Sequence, residues 1–299
     1  MPSKGKQPAG RLRTVRCPLR IDFGGATTDL EPYAKRQQGV VLSAAITRYA
    51  SGTAHYSPSG VSLSYHCEVP PASGLGASGA MNLCWLALVS SEEDKIALAE
   101  LAYHVEQTRG ERGGRQDQYA SALGGINLFR FHATVEVEPL IPKLPDELTQ
   151  RLSDRLLLVY AMDKPASFSK LDQDREFLTR FSKGDDRLFS LLDAIKATTL
   201  AMHAALIAGR LTDFGYLLNE EWALRKQLHP RKTNPTLDRF IASGLKHAIG
   251  AKPCGSAGGG FVLLYTEDKE KLKSCLDGRI LWDVSFDSSG LQIETRSAQ

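Results

Sequence analysis

Alternating and β-branched hydrophobic runs predict strands in both halves of the chain. Arg11–Leu19 is typical of a first strand, and Gly39–Tyr56, rich in Val, Ile, Thr and Tyr, of one or two more. A turn then leads into Val61–Tyr65, the second strand of a hairpin. The same signals predict later strands at 126–131, 133–140, 155–160, 261–265, 280–286 and 291–294.

Apolar residues at helical spacing separate these strands. Predicted helices cover residues 30–37, 80–90 and 90–109, a short stretch that ends at residue 123, and residues 188–208, 211–227, 235–249 and 268–275. The helical region that contains 188–208 and 211–227 is predicted to begin at about residue 169. Thr28 or Asp29 is the expected N-cap of the first helix, and Ser90 to Glu93 reads as a capping box. Asn234 followed by proline is expected to cap the helix at 235.

Strands and helices mix in both halves without a regular βαβα alternation, which predicts an α+β fold. The break around Pro142 and Pro145 divides the chain into expected domains at 11–150 and 151–299, after a loose polar tail at 1–10.

Composition excludes several classes of protein. The 299 residues have ordinary apolar and charged contents, 42% and 24%, and the net charge of +3 is too small to argue for a nucleic-acid or membrane partner. Five scattered cysteines favour neither a zinc site nor a disulfide framework and suit a reducing cytoplasm. No apolar run approaches the length of a membrane span. We therefore expect a cytoplasmic protein.

The stretch Pro71–Ala80 is the clearest candidate for a binding site. Three glycines and small residues precede an apolar helical run, so backbone N–H groups and the positive end of a helix dipole meet there. Such a turn favours an anion, most often phosphate, because glycine lets the ligand approach the backbone. A plain tight turn before a helix is the alternative.

Three further stretches carry candidate side chains, each with a simpler alternative. Arg20–Asp29 combines two glycines with hydroxyls and carboxylates, although Asp29 also suits a helix cap and Arg20 a surface position. Glu106 falls on the apolar face of its helix and needs a polar partner there, unless its head reaches solvent. Asp117 follows a glycine loop and also suits an N-cap.

Two common nucleotide-binding architectures fit poorly. Gly74 to Gly79 matches the pattern G-x-G-x-x-G of dinucleotide-binding proteins, but prolines and a hairpin precede it instead of the first strand of a βαβ unit. The Gly-Lys-Ser/Thr of a Walker motif is absent from the sequence.

Four ordered motifs together resemble the GHMP kinases, the superfamily of galactokinase, homoserine kinase, mevalonate kinase and phosphomevalonate kinase. Pro71–Ala80 is similar to the P-x-x-x-G-L-G-S-S-A loop, Arg20–Asp29 to the first motif, and Gly250–Phe261 to the third. Glu106 and Asp117 have a spacing similar to that of the family's metal ligand and catalytic aspartate. The first motif and the sequence around Asp117 look most like the sugar 1-kinase branch, which includes heptose 7-phosphate kinase and the kinase part of fucokinase.

The resemblance implies a fold of two α+β domains with the active site in the cleft between them, and an ATP-dependent sugar kinase that uses Mg²⁺. It makes Asp117 the base and Arg20 the residue that neutralises developing charge. It implies contacts to ATP from Pro71, Ser73, Gly74, Leu75, Gly76, Ala77, Ser78 and Gly79, and Mg²⁺ ligands at Ser78 and Glu106. Implied acceptor contacts come from Asp22, Gly24, Gly25, Thr28, Asp29, Arg115, Gln116, Gly255, Gly258 and Gly259.

The implied acceptor is a sugar or a sugar phosphate such as D-glycero-D-manno-heptose 7-phosphate, phosphorylated on its anomeric oxygen. Arg115, and less so Arg112, would hold a phosphate already on it. The resemblance implies a small-molecule partner and leaves monomer and homodimer open.

Departures from the family pattern leave other functions open. Ala77 stands where the family has a serine, Gly79 where it has Ala or Ser, and Ala257 where it has glycine. A catalytically weak sensor of sugar and ATP that regulates a partner is one alternative, and a dinucleotide-binding protein is another.

Overall fold

A computed structural model describes residues 10–132, 134–140, 144–165, 169–276 and 278–297 of the chain. The predicted tail at 1–10 lies almost wholly outside this range. The described strands are β1 (Arg11–Gly24), β2 (Gly39–Ser57), β3 (Gly60–Cys67), β4 (Ile126–Phe131), β5 (Val135–Pro139), β6 (Leu156–Met162), β7 (Gly250–Pro253), β8 (Gly260–Tyr265), β9 (Leu281–Asp283) and β10 (Gln292–Ser297). The helices are α1 (Glu31–Gln37), α2 (Ala77–Val89), α3 (Lys95–Thr108), α4 (Gln116–Leu123), α5 (Asp146–Arg155), α6 (Lys170–Ser182), α7 (Asp186–Ile207), α8 (Leu211–Leu228), α9 (Pro235–Gly244) and α10 (Lys269–Cys275).

Two antiparallel sheets organise the fold. The first has the order β10-β1-β2-β4-β5, with β3 paired to the far part of β2, and helices α2 and α4 pack on it. The second has the order β7-β8-β6-β9 and is contacted by α8 and α9. This arrangement confirms the predicted α+β class.

One continuous apolar core joins the two sheets. It extends from Leu19 and Phe23 of β1 to Leu263 and Tyr265 of β8. The ring of Phe23 meets that of Phe214 in α8 edge-on, with centroids 5.1 Å apart. Because β10 returns to pair with β1, the last described residues belong to the first sheet. The predicted boundary near residue 150 stays a prediction.

Helix starts were harder to predict than the helices themselves. The predicted capping box at Ser90 is wrong: Asp94 caps α3 by accepting a hydrogen bond from the Ala97 amide, and Ser90 ends α2. Thr28 and Asp29 do not cap α1, whose N-cap is Leu30. The prediction for Asn234 is confirmed, since its side chain accepts hydrogen bonds from two amides of α9.

Several bounds differ from those predicted. Residues 39–57 form one long strand, α9 ends at Gly244 instead of residue 249, and α5 and β7 were not predicted. Among the described helices, α7 alone has both the length and the mean hydropathy of a membrane-spanning helix. Core helices of globular folds can have the same length and hydropathy. Its apolar side chains Leu192, Ile195 and Met202 are buried in this fold.

Candidate active site

The glycine loop before α2 forms one wall of a cleft between the two sheets. Gly74 and Gly76 have φ of +87° and +73°, a conformation that glycine adopts without strain. A Cβ at Gly74 would lie 2.5 Å from the Cys254 carbonyl oxygen, so this loop packs directly on the second glycine loop. The cavity in front of it, here called the loop chamber, is lined by Ala72, Ser73, Gly74, Gly76, Ala77, Ser78 and Gly79.

A carboxylate and a guanidinium meet at the start of this loop's helix. Arg20 Nε and Nη2 each lie 2.7 Å from Oδ1 of Asp117, and Arg20 Nη1 donates to the Gly74 carbonyl at 2.7 Å. A Cβ at Gly79 would lie 2.8 Å from the Asp117 Cβ, so glycine there lets α4 approach α2 closely. Burial would lower the pKa of Arg20, but Asp117 and Asp22 outweigh it and raise the pKa.

Glu106 of α3 faces into the same cleft, and its hydrogen-bond partners among the described residues are neutral amides. Asn82 Nδ2 donates to its Oε1 at 2.7 Å, and Gln118 Nε2 to its Oε2 at 2.6 Å. Burial raises the pKa of Glu106 to about 7. Asn82 lies one turn after Ser78 on α2, so the Ser78 hydroxyl is on the helix face that points toward this carboxylate.

A second, adjoining cavity contains Asp29, and we call it the Asp29 chamber. Asp29 accepts hydrogen bonds from the Gln116 amide at 3.2 Å and from Gln116 Nε2 at 3.3 Å. Burial raises the pKa of Asp29 to about 6. Oε1 of Gln116 is buried and has no hydrogen-bond partner among the described residues. A Cβ at Gly114 would lie 1.9 Å from the Asp29 carboxylate, so glycine is needed there.

The two chambers meet at the reactive side chains. Residues that line both are Arg20, Glu106, Asp117, Lys170, Gly255 and Ser256. Asp117 therefore separates the glycine loop on one side from Asp29 and Gln116 on the other. A phosphate donor in the loop chamber and a hydroxyl in the Asp29 chamber would meet at this carboxylate.

Beneath the cleft lies a cluster of four buried charges. Asp22 accepts from Lys252 Nζ at 3.1 Å, Arg225 Nη1 at 3.3 Å and the Gly255 amide at 2.8 Å. Glu221 lies 3.2 Å from Lys252 Nζ. Burial would raise the pKa of Asp22, but Lys252 and Arg225 outweigh it and lower the pKa to about 2. The cluster ties β1 of the first sheet to β7 and α8.

Three lysines that the sequence did not single out also border the cleft. Lys170, at the start of α6, lies 3.3 Å from Asp174 and lines both chambers. Lys164 donates to the Ser256 hydroxyl at 2.7 Å and lines the loop chamber. Lys232 lines the Asp29 chamber. Neither a motif nor a hydrophobic pattern marks these positions.

Some predicted site residues lie away from both chambers. Leu75 is buried in the core, and Pro71 is exposed outside the loop chamber. Asp22 belongs to the buried charge cluster, and the Thr28 hydroxyl bonds the backbone of Gly25 and Val40. The remaining predicted residues outside the chambers are Gly24, Gly25, Arg115, Gly258 and Gly259.

Arg115 is the most consequential of these. Its guanidinium lies over the Tyr103 ring, 4.7 Å from the centroid, and its Nε is 3.6 Å from Glu100. Both partners belong to α3. Arg115 therefore packs α4 against α3 in this structure.

The second glycine loop contains the departure from glycine at Ala257. Ala257 has a φ of +63°, which costs an alanine about 1 kcal/mol relative to glycine. Its methyl is buried in the apolar cluster of the second sheet with Val262 and Leu264. The departure from glycine thus strains the backbone without narrowing either chamber. Gly255 and Ser256 are the members of this loop that line both chambers.

Comparison with protein families agrees with this architecture. The model of the GHMP kinases N-terminal domain matches residues 40–125, and that of the GHMP kinases C-terminal domain matches residues 202–278. The chain belongs to the GHMP kinase family. The first match contains the glycine loop, Glu106 and Asp117, and the second contains Arg225, Lys252 and the second glycine loop.

Several curated proteins are similar to this GHMP kinase. The D-glycero-alpha-D-manno-heptose 7-phosphate kinase of Campylobacter jejuni is 24% identical over 87% of this chain and 91% of that protein. The bifunctional fucokinase/GDP-fucose pyrophosphorylase of Arabidopsis thaliana is 25% identical over 96% of this chain. This chain spans only 32% of the plant protein's length.

Solved structures share the fold of this GHMP kinase. A D-glycero-D-manno-heptose 1-phosphate kinase from Bacteriodes thetaiotaomicron superposes with a TM-score of 0.73 at 20% identity, covering 94% of this chain and 98% of that one. A Lactococcus lactis galactokinase complexed with galactose gives 0.69 at 17% identity, covering 94% and 95%. The fold of this chain is therefore that of the family.

Proposed function

We propose that this GHMP kinase transfers the γ-phosphoryl group of ATP to a hydroxyl of a sugar or sugar phosphate, with the anomeric oxygen as acceptor. The observation that carries the proposal is the position of Asp117 at the junction of the two chambers. One chamber is lined by a glycine loop at a helix N-terminus, which suits ATP phosphates. The other offers Asp29 and the unpartnered Gln116 oxygen, which suit sugar hydroxyls. The curated relatives named as sugar kinases support an acceptor of this class.

Asp117 is the proposed base. Its Oδ1 is held by Arg20, which leaves Oδ2 to accept the proton of the acceptor hydroxyl. The acceptor oxygen then forms its bond to the γ-phosphorus while the bond from that phosphorus to the β,γ-bridging oxygen breaks. Arg20 also bonds the Gly74 carbonyl, so its charge lies between the base and the glycine loop, where negative charge develops.

The donor set of the cleft fits Mg²⁺. A bound Mg²⁺ would neutralise charge on the phosphates during transfer. Among the described residues no group of three or more His, Cys, Asp or Glu side chains could hold a metal by itself. Mg²⁺ commonly uses one or two carboxylates together with substrate phosphates. Glu106, whose hydrogen-bond partners among the described residues are neutral amides, and the Ser78 hydroxyl on the facing turn of α2 are the proposed protein ligands.

The decisive experiment measures ADP release with Mg-ATP and a panel of free and phosphorylated aldoses. We expect at least one sugar to stimulate ADP release, and Asp117→Ala to lower kcat by about 10³-fold. Asp213→Ala is the matched control, because Asp213 lies on the surface in an ion pair with Arg210. The ³¹P spectrum of the product distinguishes an anomeric phosphate from a phosphate on another hydroxyl.

Two results would contradict the proposal. If no sugar stimulates ADP release, or if Asp117→Ala leaves it unchanged, the chain is not a sugar kinase of this mechanism. Binding of both ATP and a sugar without turnover, measured by calorimetry, would favour the sensor that regulates a partner. The hydroxyl missing at Ala77, which lines the loop chamber, is the feature that favours that second function.

A further inference from the structure

Lys232 is the exception among the cations that line the Asp29 chamber. Arg20 is paired with Asp117, Arg225 with Asp22, and Lys170 with Asp174. Within the described ranges, no carboxylate oxygen lies within 4.0 Å of Lys232 Nζ. Its contacts are the Ser256 carbonyl oxygen at 3.4 Å and the face of the Phe177 ring at 5.5 Å.

The side chain of Lys232 is nevertheless almost completely buried, with 3% of the residue exposed. Its backbone is fixed as well, since the Gly258 amide donates to the Lys232 carbonyl at 2.8 Å. A buried ammonium without an anion costs several kcal/mol. Burial, with repulsion from Arg225, lowers the pKa of Lys232 to about 7 although Asp174 opposes this shift. Among the described residues, the chamber thus contains a cation that forms no close ion pair with a carboxylate.

The location decides which ligand would supply that counter-ion. Lys232 lines the Asp29 chamber and not the loop chamber, so it does not face the cavity assigned to the ATP phosphates. The anion must therefore belong to the acceptor. Lys170 lines the same chamber and its side chain is half exposed, so its ammonium, which has three donors, can keep its ion pair with Asp174 and still donate to a second oxygen of one anion. A phosphate monoester, with two charges and three acceptor oxygens, suits two ammonium groups better than a carboxylate does.

We propose that the acceptor is a sugar phosphate, and that Lys232, which lines the Asp29 chamber and not the loop chamber, binds its existing phosphate. This inference rests on the proposed function. It assigns the binding of the acceptor's phosphate to a residue of the second domain and not to Arg115, which packs on Tyr103.

The first test compares Lys232→Met with the wild type in steady-state kinetics. The probes are mannose 6-phosphate and D-glycero-D-manno-heptose 7-phosphate, each paired with its dephosphorylated sugar, and glucuronic acid as a carboxylate. We expect the wild type to prefer a phosphorylated sugar. Lys232→Met should raise KM for it by about 10- to 100-fold, because a charge-assisted contact is lost. KM for ATP and kcat/KM for the dephosphorylated sugar should both stay within about twofold of the wild-type values. A change of that size is too small for the loss of an ionic contact.

Lys246→Met is the matched control, because Lys246 is an exposed lysine of the same domain outside both chambers. The thermal midpoint of Lys232→Met should equal or exceed that of the wild type, since the substitution removes an uncompensated buried charge. A lower midpoint together with weaker binding of ATP would mean that Lys232 is structural, and would overturn the inference.

Calorimetric titration of the same sugar phosphates without ATP separates this inference from the proposed function. If no sugar supports ADP release but Lys232→Met abolishes binding of a sugar phosphate, the anion site stands and the kinase proposal fails. If the wild type phosphorylates neutral sugars equally well and Lys232→Met changes nothing, the kinase proposal stands and the anion site fails. The proposed anion site would also be overturned if the wild type preferred glucuronic acid to the sugar phosphates. The same holds if Arg115→Ala, and not Lys232→Met, raised KM for a sugar phosphate.

Discussion

The buried charges under the cleft and those that line it are compensated in different ways. Asp22, Lys252, Arg225 and Glu221 form a closed cluster in which each charge has an opposite one within 4 Å. By contrast, Asp29 and Glu106 are contacted by neutral amides. The pKa of Asp22 is lowered to about 2, while burial raises the pKa of Asp29 to about 6 and of Glu106 to about 7.

This difference separates stability from function. In the closed cluster each charge already has an opposite charge beside it, and the cluster connects the two sheets. Charges that are buried without a partner cost stability in the free protein and are retained where a ligand supplies the partner. Under the proposed function, Mg²⁺ would do this for Glu106, sugar hydroxyls for Asp29 and a phosphate for Lys232.

The largest expected effect comes from opening the closed cluster. Asp22→Asn leaves Glu221 as the remaining carboxylate of the cluster beside Lys252 and Arg225, and should lower the free energy of unfolding by about 3–5 kcal/mol. Denaturation in urea measures the loss. Adding Lys252→Met should restore part of it, because the two positions are directly coupled.

Asp213→Asn serves as the control, since its exposed ion pair with Arg210 should contribute less than about 1 kcal/mol. If Asp22→Asn lowered the free energy of unfolding no more than this surface variant does, the buried cluster would not hold the sheets together.

The pH dependence of stability, a second and smaller effect, distinguishes the closed cluster from the carboxylates that line the cleft. Glu106 ionises near pH 4.5 when unfolded and near pH 7 when folded. The folded state therefore binds more protons between these values, and stability falls as pH rises through this window, by roughly 3 kcal/mol. Asp22 has the opposite sign: its contribution is present above pH 4 and is lost as pH falls toward 2.

Glu106→Gln tests this sign directly. The variant should lose the decline between pH 4.5 and 7 and should be more stable than the wild type at pH 8. Gln118 Oε1 is buried without a partner among the described residues, so it is available to accept from the new amide. Urea denaturation at several pH values gives the comparison. Parallel curves for variant and wild type would show that Glu106 carries its charge in the folded protein at no cost.

The sequence was sufficient to predict the fold class and the residues around the junction of the two chambers, because these depend on local patterns. Glycine loops and helix faces are local patterns, so Gly74, Glu106 and Asp117 could be located without the fold. The partners of Asp22 are 203 to 233 positions away along the chain, and no local pattern shows that Lys252 and Arg225 converge on it. Lys232 was missed for the same reason.

The predictions of helix caps were wrong because of competition between residues that are close together in the sequence. Ser90 and Asp94 are both good capping residues, and the competition was decided by where α2 ends. Arg115 was predicted, from the family resemblance, to hold a phosphate already on the acceptor. Since neighbours in the first turn of a helix point about 100° apart, Gln116 faces Asp29 while Arg115 faces α3.

The smallest expected effect concerns the distance between the base and the glycine loop. Gly79→Ala places a methyl 2.8 Å from the Asp117 Cβ, too close to be accommodated without a shift of α4. Alanine favours the helix by up to about 1 kcal/mol, so stability should change little while kcat falls about tenfold through misplacement of the base. Gly244→Ala, in α9 beside the Leu264 side chain, is the helix control and should leave kcat unchanged. Equal kcat values for both variants would mean that Asp117 tolerates a displaced α4, and that the close approach at Gly79 serves packing alone.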